Sequence, residues 1–387
     1  MLATRKQKRI FLIAGEASGD IHGANLVAAL KEKETNLLFC GIGGKAMQTA
    51  GVELVVNAST LSVVGITEVL SKLPGILRGM SIAKAFLKNF QPDLLILIDF
   101  PDFNLLVAAA ARKLNIPILY YISPQIWAWR SGRVTKIGKL VDHVAVILPF
   151  EEHFYRSHMI PVTFVGHPLL DEFRNQPVAT PKVLRLKDTP VIGLLPGSRE
   201  SEISRHLPVM LEAARILSCR LDHAVRFIVS IAPGVLINTI ETICKPYRNK
   251  LSLEINTDGA RSVFPQSHLV VAASGTVTLE AAIFGTPVVI IYKVSPLSYS
   301  LAKLLIRVPH IGLVNLIAGK EIVPELVQNQ ASPERIAETI FNLIISPSAL
   351  DAIRQTFDQV RIQLGAPGAS DRVADIALKM LGVPITT

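Results

Sequence analysis

Cysteine is scarce: Cys40, Cys219 and Cys244 are the three copies in 387 residues. They lie far apart and are odd in number, so neither a zinc-ligand pair nor a disulfide framework is implied. A reducing cytoplasm is the expected compartment. No run of about 18 uncharged apolar residues occurs, which argues against a membrane-spanning helix. The basic start MLATRKQKRI leads into a single strand pattern and then AGEASGD, too short an apolar stretch for a signal segment. No Lys/Arg tract with interleaved aromatics is present, so nucleic acid is not an expected partner. The pattern GxxxxGK[ST] is missing, which removes a phosphate-hydrolysing P-loop. No His/Cys/Asp/Glu cluster has metal-ligand spacing, so neither a metal nor a cofactor is expected.

What is present is apolar and alternating. Half the residues are hydrophobic, only 18% are charged, and the formal net charge is +9. That charge suits anionic partners such as nucleotides or acidic lipid headgroups. The length exceeds one ordinary core, so two domains are expected. Short Val/Ile/Leu/Phe runs alternate with helical patterns, as in parallel βαβ units buried on both faces. Strand candidates in the first half are 9–15, 37–43, 93–99, 116–123, 143–150 and 162–168. A polar, Pro-rich stretch at 174–190 reads as a linker. A second series follows at 190–197, 225–232, 251–256, 268–274 and 286–292, and the chain is helical after 331. The fold class is therefore α/β, with two Rossmann-like parallel-sheet domains, 1–175 and 186–349, facing across a cleft.

Ligands of open α/β sheets bind outside the carboxyl ends of the strands, so the residues placed there are the candidates. In VIGLLPGSRESEISR (191–205) a strand runs into Gly197, Ser198 and Arg199 and then directly into a helix. Helix-start amides and a guanidinium make this an anion site suited to a nucleotide diphosphate. The alternative is an Arg paired at the surface. A second strand–Gly–helix start, Ser274, Gly275 and Thr276, repeats the pattern, with Glu280 one turn inside to accept from ribose hydroxyls. After the first strand come Gly15, Glu16, Ser18, Gly19 and Asp20. Glu16 is neither a turn residue nor a cap, whereas Asp20 reads equally as a cap. The strand LLILID ends in Asp99, where partial burial raises the pKa of a carboxyl and makes it a usable proton acceptor. A buried structural Asp is the alternative; Asp102 is the weaker candidate. In SPQIWAWR, Trp127 and its neighbouring Trp read as core packing or, with Arg130 and Gln125 beside them, as an apolar wall against a ligand.

Taken together, AGEASGD (14–20), IDFPDFN (98–104), SPQIWAWR (123–130), LPFE (148–151), VGHPL (165–169), LLPGSR (194–199), ASGTVTLE (273–280) and NLIAGK (315–320) resemble the lipid-A-disaccharide synthase family, in order and over nearly the whole chain. Val314 departs from the family's usual Pro before the Asn of NLIAG. The resemblance implies an inverting, metal-independent GT-B glycosyltransferase of the cytoplasmic face of a bacterial inner membrane. Its donor would be UDP-2,3-diacylglucosamine and its acceptor 2,3-diacylglucosamine 1-phosphate. It also implies a homodimer that exchanges C-terminal helices; residues 350–387 are expected to pack on the first domain. On this reading Asp99 is the base and Arg199 stabilises the leaving UDP. Asn315, matching the family's functional Asn, orients the donor, while Glu16, Ser18, Gly19, Asp20, Asp102, Trp127 and Arg130 line the acceptor side. Residues 61–90 carry Leu73, Ile76 and Leu77 beside Arg78, Lys84 and Lys88, a composition suited to an anionic membrane interface; the alternative is a core helix with a solvated basic face. Two other functions fit the same architecture: a UDP-sugar 2-epimerase, and a non-catalytic sugar-nucleotide or anionic-lipid binder.

Overall fold

A computed structural model of the chain describes residues 7–60, 66–129, 131–173, 183–185, 188–221, 223–296, 299–300, 303 and 308–384, with the backbone alone at 60, 66–74, 129 and 131. Arg130, the Leu73 side chain and most of the 174–190 linker thus lie outside the described residues. Two compact units are formed, Met1–Arg174 with Leu364–Thr387, and Asn175–Gln363.

The first unit holds seven parallel strands: β1 (Lys8–Ala14), β2 (Leu37–Gly43), β3 (Glu53–Asn57), β4 (Leu94–Ile98), β5 (Ile118–Tyr121), β6 (His143–Val146) and β7 (Val162–Phe164), in the order β3-β2-β1-β4-β5-β6-β7. Ile10 of β1 lies between Phe39 and Leu94. β4 and β5 are buried at every residue, as expected of strands covered by helices on both faces. β6 and β7 are shorter than the apolar runs suggest. Pro149 opens the helix Pro149–Ser157, and Gly166, at φ +79°, turns the chain after β7.

The second unit repeats the plan with β8 (Val191–Leu195), β9 (Arg226–Ser230), β10 (Ser252–Asn256), β11 (Leu269–Ala273), β12 (Val288–Tyr292) and β13 (Glu325–Val327), in the order β10-β9-β8-β11-β12-β13. β3 and β13 are absent from the sequence expectation. Both are edge strands: β3 is nowhere fully buried and β13 has three residues, so neither shows a sustained apolar run.

The C-terminal helices divide between the units, contrary to the expectation for 350–387. Helix Pro347–Gln363 packs on the helices Val277–Phe284 and Leu313–Ala318 of the second unit, and Arg361 donates to the Ile283 carbonyl at 3.0 Å. Only the last helix, Ala369–Met380, lies on the first unit, against helix Ala17–Lys33 of the same chain. Val373, Ala374, Ala377 and Leu378 enter the core shared with β1 and β4. Its orphan amides are satisfied from a distance: the Asp171 carboxylate accepts from Gly368, Ala369 and Ser370 N–H at 2.5, 3.1 and 3.2 Å.

Helix Ile66–Phe90 buries Met80, Ala83 and Leu87 against the sheet, and Ile76 leans on the same core. Leu77 is 61% exposed, and Arg78, Lys84 and Lys88 are exposed. No single helix among the described residues is long and apolar enough to cross a membrane.

The Asp171 clamp generates a stability prediction. Asp171→Ala removes the cap that docks the last helix and should cost about 1–2 kcal/mol. Denaturant unfolding checks this, with amide exchange in 369–380 rising first.

Candidate active site

In the second unit the strand order reverses between β8 and β11, and a cavity of about 630 Å3 opens at their carboxyl ends. Gly197, Ser198, Arg199, Ser274, Gly275, Thr276 and Glu280 all line it. Gly197 has φ +120°, and a Cβ there would sit 2.5 Å from Glu202 Oε2. The amides of this turn do not face an open anion site as the sequence suggested. Ser198 and Arg199 N–H donate to Glu202 Oε2 at 3.1 and 3.3 Å, because the third residue of the helix supplies its own cap. The Arg199 guanidinium, 63% exposed, lies 3.5 Å from Glu202 Oε1 on the cavity wall. So long and exposed a pair is weak, which leaves the guanidinium available to an anion. Beneath the turn, buried His206 donates through Nδ1 to the Pro196 carbonyl at 2.9 Å. Its Nε2 accepts from Lys293 N–H at 3.0 Å, which fixes the neutral tautomer.

At the other turn a Cβ on Gly275 would meet nothing within 4 Å. The protein itself does not require Gly there; the open space is that of the cavity. Glu280 accepts at Oε1 from Arg261 Nε and Nη2, at 3.1 and 2.9 Å, with its side chain 16% exposed. Sequence reasoning missed Arg261, and with it Ser230, Asp258 and Gly259, which also line the cavity. These follow or end β9 and β10, so the strand-end rule applied to those strands would have found them.

Asn315 does not reach this cavity. It is fully buried, donates to the Val323 carbonyl at 2.9 Å and to Glu325 Oε1 at 2.8 Å, and accepts from Ile322 and Val323 N–H at 2.8 and 3.1 Å. The direct donor contact expected of it is therefore corrected: its amide is saturated by the chain. Val314 sits at the second position of helix Leu313–Ala318, where the family's usual Pro would also fit.

In the first unit the reversal lies between β1 and β4. Beyond β4, Asp99 and Phe100 both adopt left-handed backbone, φ +46° and +48°, an uncommon conformation for these residues. The turn is held from beneath. The Asp99 carbonyl accepts from Asn104 Nδ2 at 2.6 Å and Tyr120 Oη at 3.0 Å, and Asp99 N–H reaches the carbonyls of Tyr121 and Ile122. A Cβ on Gly15 would lie 2.2 Å from the Phe100 ring, so the turns after β1 and β4 interlock. Burial first, and the charge of Glu16 second, push the Asp99 carboxyl up to about 6, against a hydrogen bond from Phe100 N–H. Glu16 and Ser18 are exposed at the start of helix Ala17–Lys33, and Gly19 is buried behind them.

Asp20 has a different role from the acceptor contact expected of it. Its carboxylate accepts from Gly44, Ala46 and Met47 N–H at 2.6, 2.9 and 3.1 Å, capping helix Lys45–Thr49. Asp102, 75% exposed, pairs with Arg133 at 2.6 Å. Trp127 is half-buried, stacks edge-on with Phe150, and donates Nε1–H to Glu151 at 2.9 Å. Burial pushes the Glu151 carboxyl up to about 7, opposed by hydrogen bonds from Trp127 and from backbone amides.

Comparison with known proteins follows the same lines. The family model for lipid-A-disaccharide synthetase matches residues 10–380. A lipid-A-disaccharide synthase of Syntrophus aciditrophicus is 46% identical over 97% of this chain and 98% of its own length. One from Geobacter metallireducens is 45% identical over 98% and 99%. Among solved structures, a UDP-GlcNAc 2-epimerase from Neisseria meningitidis bound to UDP-GlcNAc superposes with TM-score 0.63 over 96% of this chain and 100% of its own. At 14% identity that likeness speaks for the fold alone. With whole-length relatives at this identity and both halves built on doubly wound sheets, the chain belongs to the lipid-A-disaccharide synthase family.

Proposed function

We propose that this hexosyltransferase joins UDP-2,3-diacylglucosamine to 2,3-diacylglucosamine 1-phosphate, giving the β-1,6-linked disaccharide 1-phosphate and UDP. Asp99 carries the reading. It is a half-buried carboxylate on a strained turn at the carboxyl end of β4, and its proton affinity is raised towards neutrality. In the reaction Asp99 takes the proton from the acceptor 6-hydroxyl as that oxygen attacks the anomeric carbon. The carbon–oxygen bond to the diphosphate breaks from the opposite face, and the configuration inverts. Negative charge then grows on the departing UDP. Arg199 and the helix start at Gly275 and Thr276, both on the cavity wall, are suited to receive it without a metal ion. Glu280 would accept from the ribose hydroxyls once Arg261 shares or releases it. Glu16 and Ser18, both exposed at the start of helix Ala17–Lys33, are acceptor-side candidates, with the Trp127 ring as an apolar wall.

The same proposal places the protein on the cytoplasmic face of the inner membrane. Leu77, projecting into solvent beside Arg78, Lys84 and Lys88, supports this, since an apolar residue flanked by cations suits an anionic interface. The proposed homodimer rests on family membership. The 2-epimerase reading is not favoured, because the whole-length relatives carry the synthase name.

Activity, pH dependence and membrane binding each check part of this. With both acylated sugars and a chelator, the purified protein should release UDP and disaccharide in equal amounts, and no UDP without acceptor. Asp99→Asn should lower kcat by about 10²-fold or more while leaving UDP binding intact; undiminished turnover would remove Asp99 as the base. The working form of Asp99 is the carboxylate, and its pKa is raised, so kcat/KM should fall as pH drops through about 6. Glu16→Gln removes the neighbouring negative charge and should move that limb to lower pH. Leu77→Glu should reduce co-sedimentation with anionic vesicles without changing the unfolding midpoint.

A further inference from the structure

The turn Ser274–Thr276 does not stand by itself. Ser274 Oγ–H donates to the Ile311 carbonyl at 2.9 Å, so this hydroxyl proton is directed at the chain and not at the cavity. The segment carrying Ile311 is held in turn by one carboxylate. Glu325 Oε2 accepts from Ile311 N–H at 2.8 Å, while Oε1 accepts from Gly312 N–H at 3.0 Å and from Asn315 Nδ2 at 2.8 Å. The fit is close: a Cβ on Gly312 would lie 2.3 Å from Ile290 Cδ1 and 3.0 Å from Glu325 Oε1. Three donors converge on two oxygens, a set that a carboxylate can accept with both; a glutamine would turn an NH2 group against at least one of them.

We propose that Glu325 is a positioning residue of the donor site. Together with Asn315 it fixes the Ile311 carbonyl, and through Ser274 it sets where Gly275, Thr276 and Val277 meet the cavity. This gives Asn315 a part in donor binding without a donor contact. Neither residue lines the cavity; both act through the turn that does. The inference rests on that cavity being the donor site.

A double-mutant cycle read by calorimetric titration with UDP tests it. Ser274→Ala and Glu325→Gln should each weaken UDP binding about tenfold, and the double variant should be little weaker than either, because both changes break one chain of contacts. The acceptor KM should stay unchanged. A purely structural brace would lower the unfolding midpoint of Glu325→Gln yet leave UDP affinity at the wild-type value, and that result overturns the proposal. So does an additive, roughly hundredfold, loss in the double variant. If Glu325→Gln does not fold, Glu325→Asp keeps the charge, shortens the reach, and enters the same cycle with the same expectations. Should UDP bind normally to both Arg199→Ala and Ser274→Ala, the donor-site assignment itself fails, a result distinct from a missing coupling.

Discussion

Two strand-order reversals govern this molecule. Between β1 and β4, and again between β8 and β11, neighbouring parallel strands send their connections to opposite faces of the sheet. The carboxyl ends at those points are left without an overlying crossover, and the backbone there is open to a ligand. In the second unit the opening is the cavity beneath Gly197 and Gly275. In the first, the ring of Phe100 comes so close to Gly15 that no side chain fits, and Asp99 is carried on the same turn.

The two units treat charge differently, and the difference follows from their partners. Asp99 lies near another carboxylate, Glu16, in a partly desolvated place, and its proton affinity rises. In the second unit Glu202 accepts from the Ser198 and Arg199 amides, Glu280 from Arg261, and Glu325, outside the cavity lining, from two amides and Asn315. Those groups hold shape, while Asp99 is held in a state from which it can take a proton. The strain of its left-handed turn is borne by Asn104 and Tyr120, which grip the Asp99 carbonyl from the core side.

Long-range carboxylate caps recur as the means of docking helices in the first unit. Asp20 holds the amides that start helix Lys45–Thr49, and Asp171 those that start helix Ala369–Met380. In both cases the cap comes from another element, so one side chain satisfies orphan donors and fixes the packing of two helices together.

Strands such as β4 and β11 were legible in the sequence because burial on both faces demands an unbroken apolar run, and helix starts because Gly and Ser sit where the chain must turn sharply. Asp99, Arg199 and the Ser274–Thr276 turn could be named from their places at strand ends. The edge strands β3 and β13 could not, since a strand paired on one side and partly solvated carries no such run. With β13 went Glu325. The uses of Asp20, Asn315 and Glu202 were hidden for a related reason: a polar side chain can face a ligand or an orphan amide, and its residue type is the same in both cases. The linear order of residues therefore determined the central strands of the two sheets, the family and the turns at the carboxyl ends of those strands. Only the folded chain decided which polar atoms were already satisfied by its own backbone, because that depends on neighbours brought together from distant positions.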